Sequence, residues 1–286
     1  MSTFISATAS ASLTTFLAAT AILLCVGCSS PESRPAGGEV EALVHASLSS
    51  GHETFDHSIW SSLLAEGSHD GLIDYEVLES RRVELHTYLE AIAKADLASL
   101  APQELKALLI NAYNALTLES ILLHPGVPSI KSISGVWDEM RHPVGGLELT
   151  LDEIEHNVLR PYFKDPRIHF VVNCASRSCA PLPQWAYEGE KLNDQLEEAS
   201  RRFLGNPANA RLERGRLRVS RYFDWYGTDF IAEDWRPRAD SIAEFVARYT
   251  EGDIGEAVAA DPAIKVSFLD YDWALNSAKQ GQVGLR

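Results

Sequence analysis

Positive charge is scarce in this chain. Lys and Arg number 25 against 40 Asp and Glu, a formal net charge of -15. Binding nucleic acid by neutralising phosphates needs a basic face, so that class is excluded. The one local cluster, Arg211, Arg214, Arg216, Arg218 and Arg221, is interrupted by Glu213 and reads as a solvated edge strand. No internal repeat is visible, no CxxC knuckle occurs around Cys174 and Cys179, and no HExxH helix occurs. The residues therefore carry no zinc signature, and neither a metal nor a cofactor is expected. Long apolar runs are missing too: the longest, Phe16 to Val26, falls short of the roughly twenty residues a membrane-spanning helix needs.

What that run does fit is the core of an export signal. Met1 to Ser30 holds no charged residue, and Val26-Gly27-Cys28 resembles the end of a bacterial lipobox, in which the cysteine is acylated and becomes the first mature residue. The expectation is a lipoprotein-type leader over 1–27 and a Ser-, Pro- and Gly-rich tether over 28–38. A single globular domain then spans 39–276, and the tail over 277–286 is loose. The mature protein would sit on the periplasmic side of a bacterial membrane, held only by a lipid on Cys28, and would meet an envelope substrate or partner of unknown identity. Of four cysteines the folded body would keep two, Cys174 and Cys179. In an oxidising compartment they could bridge.

Hydrophobic periodicity predicts an α+β fold, mostly helical with a small antiparallel sheet. Two short helices are expected over 39–67 and a long one over 77–97. A helix over 103–124, opened by Pro102, is apolar nearly all round and therefore central. Asn111 and Asn114 lie within it and need partners. Thr150 and Glu153 match a capping box, starting a helix with Glu155, His156 and Arg160 beside its apolar stripe and Pro161 at its end. An amphipathic helix over 191–204, strands over 216–223 and 264–269, and a helix over 241–249 follow.

The most informative stretch is RIHFVVNCASRSCAPL, Arg167 to Leu182. Ile168, Phe170 and Val172 alternate with His169, Val171 and Asn173, the pattern of a strand with His169 and Asn173 on one face. A small polar loop follows, with Cys174 at its mouth and Cys179 at its far end.

Four strings, INAYNALTL (110–118), LTLDEIEHNVLR (149–160), the stretch just quoted, and YDWALN (271–276), together resemble the domain of unknown function 547 family, found in bacterial, often exported, proteins and in plants. The resemblance covers roughly Leu100 to Asn276. It implies no activity, and it carries over to Asn111, Asn114, Glu155, His156, Arg167, His169, Cys174 and Cys179. The sharpest chemical reading is a thiol nucleophile paired with an imidazole, performing hydrolysis or acyl transfer. Cys179 is the expected nucleophile because it lies in the loop, with Cys174 buried. His169 or His156 is the base, with Glu155, Asn173 or Asn111 orienting the ring, and Asn111, Asn114, Asn173 and Arg167 serve binding. The competing reading is a non-catalytic envelope binding module with a Cys174–Cys179 disulfide and a groove near Trp137, Trp185 and Trp225.

Overall fold

The computed structural model describes residues 37–279. Cys25, Cys28, most of the tether and the tail from 280 onward lie outside the described residues.

The expected pair of opening helices forms α1 (Gly38–Ser50) and α2 (Ser58–Gly67), followed by the antiparallel ribbon β1 (Ser68–His69) and β2 (Leu72–Ile73). The long helix expected next is two, α3 (Tyr75–Ser80) and α4 (Arg82–Ala93), because Arg81 leaves helical geometry at ψ 22°. Asp74 caps α3, its carboxylate accepting the amides of Glu76 and Val77.

Helix α5 (Pro102–Leu123) is the axis of the molecule. It is buried on every side from Glu104 to Leu122, and it packs against α1, α4, a π-helix and α6 (Leu192–Leu204). Pro102 stands in the first turn, where the missing amide costs nothing. The second ribbon, β3 (His142–Val144) and β4 (Leu147–Leu149), leads into the capping box. The Thr150 amide donates to Glu153 Oε2 at 2.9 Å, and the Glu153 amide donates to Thr150 Oγ1 at 3.1 Å.

The helix begun there departs from expectation. Residues 153–163 wind as a π-helix that runs through Pro161 instead of ending at it. Proline in an α-helix removes an amide and presses on the carbonyl four residues back, and wider π turns relieve that crowding. Bonds five residues apart also put residues four and five apart on one side, which gathers Glu155, His156 and Arg160.

Residues 166–170 form a 3-10 helix, correcting the strand expected over 168–172. Asp165 accepts the Arg167 amide at 3.0 Å and Pro166 takes the first position, a helix-start signature that outweighs the alternation. The alternation does not set two faces here, because the segment lies between two cores. Ile168, Val171 and Val172 join the cluster around α5, whereas Phe170 enters a second cluster with Phe203, Phe223, Phe230 and Phe245.

That second core is covered by β5 (Ala210–Glu213), β6 (Arg216–Val219), α7 (Tyr222–Trp225), α8 (Gly227–Ile231), α9 (Ile242–Tyr249), α10 (Asp253–Ala260) and β7 (Val266–Phe268). The strand expected over 216–223 stops at Val219 and turns into α7. β5 pairs antiparallel with β6, but β7 pairs parallel with β6, so this sheet is mixed. The fold is α+β and mostly helical. No helix among the described residues is long and apolar enough to cross a membrane.

Candidate functional site

The Cys174–Cys179 loop is held by its own backbone and by the segment from Tyr271 to Asn276. Asn173 Oδ1 accepts the Ala175 amide at 2.8 Å, turning Ala175 into the left-handed region at φ 54°. A non-glycine residue held there, fully buried, costs on the order of 1–2 kcal/mol and needs its surroundings to fix it. The fixing bonds come from the far end of the chain. The Asn276 amide donates to the Ala175 carbonyl at 3.1 Å, the Arg177 amide to Ala274 at 2.9 Å and the Ser178 amide to Asp272 at 3.2 Å. Asn114, on α5, completes the clamp by donating to the Val171 carbonyl at 2.9 Å and accepting the Asn173 amide at 2.7 Å.

The loop sets the two sulfurs 3.0 Å apart as free thiols, longer than a disulfide bond of about 2.05 Å. Their surroundings differ, and in the opposite sense to the sequence expectation: Cys179 is the buried one, and Cys174 is half-buried. The Cys179 S–H, then the hydroxyls of Ser176 (3.3 Å) and Tyr271 (3.2 Å), can donate to Cys174 Sγ and hold its thiol below the usual value. Burial, and then the neighbouring thiolate, push Cys179 well up. Of the two thiols, Cys174 is the one that ionises more readily.

Cys174 opens on a cavity of about 300 Å³, and the same cavity is lined by Cys179, His169, His156 and Glu155. The structure thus brings together all five residues expected to be catalytic. Among the described residues, Cys174 and Cys179 hydrogen-bond to each other, Ser176, Tyr271, Tyr222 and backbone.

The imidazole of His169 is oriented by Asp229, in place of the expected Glu155, Asn173 or Asn111. Its Nε2 lies 2.8 Å from Asp229 Oδ2, and Arg160 grips the same carboxylate through Nε at 2.8 Å and Nη2 at 3.0 Å. Burial opposes the Asp229 charge, yet these two partners overcome it and hold the carboxyl below its usual range. The ring stacks on Tyr226 with centroids 4.1 Å apart. Burial holds His169 down as a neutral imidazole, and burial together with the Arg160 charge pushes His156 down to about 4. Glu155 sits between them, Oε1 3.8 Å from His169 Nδ1 and 3.9 Å from His156 Nδ1, with the Tyr113 hydroxyl beside it. Burial raises its pKa and favours the protonated acid.

The four residues expected to bind lie elsewhere; none lines this cavity. Asn111 bonds the backbone of Tyr187, donating at 2.7 Å and accepting at 3.0 Å. Asn114 and Asn173 brace the cysteine loop. Arg167 pairs with Asp165 at 2.8 Å and Glu197 at 3.0 Å. Of the three tryptophans, Trp137 and Trp225 line the cavity, whereas Trp185 packs on Tyr187 against the α5 core. Sequence reasoning left Asp229, Tyr226, Tyr271 and Trp273 unassigned. The available signals were Arg160, a cation beside an apolar stripe that needs a buried carboxylate, and the aromatic residues that open the fourth motif. Among the described residues no group of three or more His, Cys, Asp or Glu is placed to hold a metal ion.

Residues 97–204 match the model of a family described as Protein of unknown function, DUF547. The matched stretch holds α5, the π-helix, the cysteine loop and α6. It is shorter than the resemblance over 100–276, and leaves outside it Asp229 and the Tyr271–Asn276 clamp. No curated protein and no solved structure matches the chain.

Proposed function

We propose that the protein is a thiol-dependent acyl transferase or hydrolase with Cys174 as its nucleophile. The observation that carries this reading is the Cys174 thiol, supported by three hydrogen-bond donors, facing one small cavity together with a buried carboxylic acid and two neutral imidazoles. The Cys174 thiolate attacks an acyl carbon, and the bond to the leaving group breaks. Glu155, whose pKa burial raises, gives the departing group its proton. The resulting thioester is attacked by water or by a second nucleophile, whose proton returns to Glu155, and Cys174 leaves as the thiolate. Neutral His169 and His156 supply acceptors beside Glu155 without adding a cation.

Two tests follow. With iodoacetamide, Cys174 should be alkylated first, with peptide mapping placing the label. Only the thiolate reacts, so a lowered pKa makes the rate rise with pH to a plateau whose midpoint lies below 9. Cys179→Ala should move that midpoint upward by removing the first donor. An activated acyl ester should leave an acyl adduct on Cys174 in the wild type and none on Cys174→Ala. Faster labelling of Cys179, or a midpoint at or above 9, would eliminate Cys174 from the role.

The uncharged leader ending in Val26-Gly27-Cys28 supports export and lipid anchoring of this activity to the envelope. Cells fed an alkyne-tagged palmitate should label the full chain, and Cys28→Ser should abolish the label; label persisting on Cys28→Ser rules out this anchor.

A further inference from the structure

We infer that the cavity at Cys174 selects a small organic cation, a protonated amine or guanidinium carried beside the acyl group. The identification of that group as part of an acyl substrate rests on the reading above; its recognition does not.

The cavity is lined by a continuous run of aromatic rings. Trp225 lies against Tyr271 at 4.9 Å and Trp273 at 5.8 Å between ring centroids, Tyr271 meets Trp273 at 4.5 Å, and Trp137 meets Trp273 at 6.1 Å. Ring faces carry negative potential and attract cations within about 6 Å of the centroid. Two of these lining rings already hold cations of the chain itself, Lys131 Nζ at 4.8 Å from the Trp273 centroid and the Arg160 guanidinium at 5.1 Å from that of Tyr226.

The polar lining has one sign. Asp138 and Asp152 face the cavity, and neither Lys nor Arg is among its lining residues. Burial raises the Asp152 pKa, and Glu155 and Asp138 raise it further against the pull of His156, the behaviour of carboxylates that lack a full counter-charge.

A separate observation points to a ligand bearing N–H groups. His169 is 1% exposed and lines the cavity, and its Nδ1 has no hydrogen-bond partner. With Nε2–H donating to the Asp229 carboxylate, Nδ1 carries a lone pair. A buried acceptor left unmade is costly, and a ligand N–H that displaces Glu155 Oε1, 3.8 Å away, would satisfy it. Acceptors, aromatic faces and about 300 Å³ of space suit an ammonium or guanidinium group and disfavour a carboxylate or phosphate.

The test titrates the full chain with benzylammonium, benzyl alcohol and benzoate at neutral pH, following tryptophan fluorescence, in the wild type and in Cys174→Ala. Benzylammonium should bind at least about 10-fold tighter than benzyl alcohol, and benzoate weakest of the three. Asp152→Asn and Asp138→Asn should shrink that preference below about 3-fold, leaving the alcohol's affinity and the unfolding midpoint in place. Equal affinity for the amine and the alcohol, tighter binding of benzoate, or no binding of any of the three overturns the inference. A cation preference that persists in a protein whose Cys174 proves unreactive overturns the thiol reading alone.

Discussion

Replacing Asp229 with alanine is expected to cost about 3–5 kcal/mol of stability, because the substitution removes the buried carboxylate that both Arg160 and His169 bond. Asp229 and Arg160 are 4% and 3% exposed, and the bidentate bond between them, at 2.8 and 3.0 Å, gives the guanidinium its counter-charge. The same change removes the bond that fixes His169 Nε2. The loss should appear in urea unfolding as a lower midpoint with an unchanged slope, and as a melting temperature lower by roughly 10 °C. Asp229→Asn keeps the shape and part of the hydrogen bonding and should fall between the two, since an amide accepts from Arg160 without balancing its charge. The electrostatic account fails if Asp229→Asn and Asp229→Ala are equally destabilised, or if alanine costs under about 1 kcal/mol. A fold that tolerated the loss would place Arg160 in contact with solvent, and the orientation of His169 would need another cause.

Asp229 also marks where the sequence stopped being legible. The buried axis α5, the capping box at Thr150 and Glu153, and the amphipathic α6 could be read directly, because each depends on residues within one or two turns of one another. Asp229 stands 69 residues from Arg160 in a short helix with no motif of its own, and only the folded chain brings the two together. Tyr271 reaches Cys174 across 97 residues in the same way. Two local signals were outweighed by others equally local. The two cores divide Ile168 to Val172 without regard to the alternation, Ile168, Val171 and Val172 entering one and Phe170 the other, and Asp165-Pro166 decides the backbone. Pro161 reads as a terminator, whereas the helix widens and continues past it. From the first of these follows the exchange of roles between the thiols. With no strand, the face occupied by Ile168 says nothing about Cys174, and the loop geometry buries Cys179 instead.

The second large effect concerns that pair of thiols. Treatment with diamide is expected to abolish alkylation of Cys174 completely and to leave no reagent attached. The Cys174 thiolate adds to the diazene nitrogen, forming a sulfur–nitrogen bond. Cys179 then attacks the Cys174 sulfur, the sulfur–nitrogen bond breaks, and the reagent departs as the hydrazine carrying the two protons the thiols gave up. The second step needs Cys179 to reach its neighbour, and the sulfurs already stand 3.0 Å apart in a loop pinned by Asn114, Asn173 and Asn276, so closing to bonding distance requires a small shift. Intact mass should show a chain lighter by two hydrogens, and dithiothreitol should restore both the mass and the labelling. In Cys179→Ala the first step proceeds and the second cannot, so the diamide adduct should persist on Cys174. A wild-type chain that keeps the adduct would mean that Cys179 is too constrained by burial and by Tyr222, whose hydroxyl donates to it at 3.0 Å, to act on its neighbour. Reversible closure would join the two readings of these cysteines: the reduced pair presents the nucleophile, and the oxidised pair withdraws it from the same cavity.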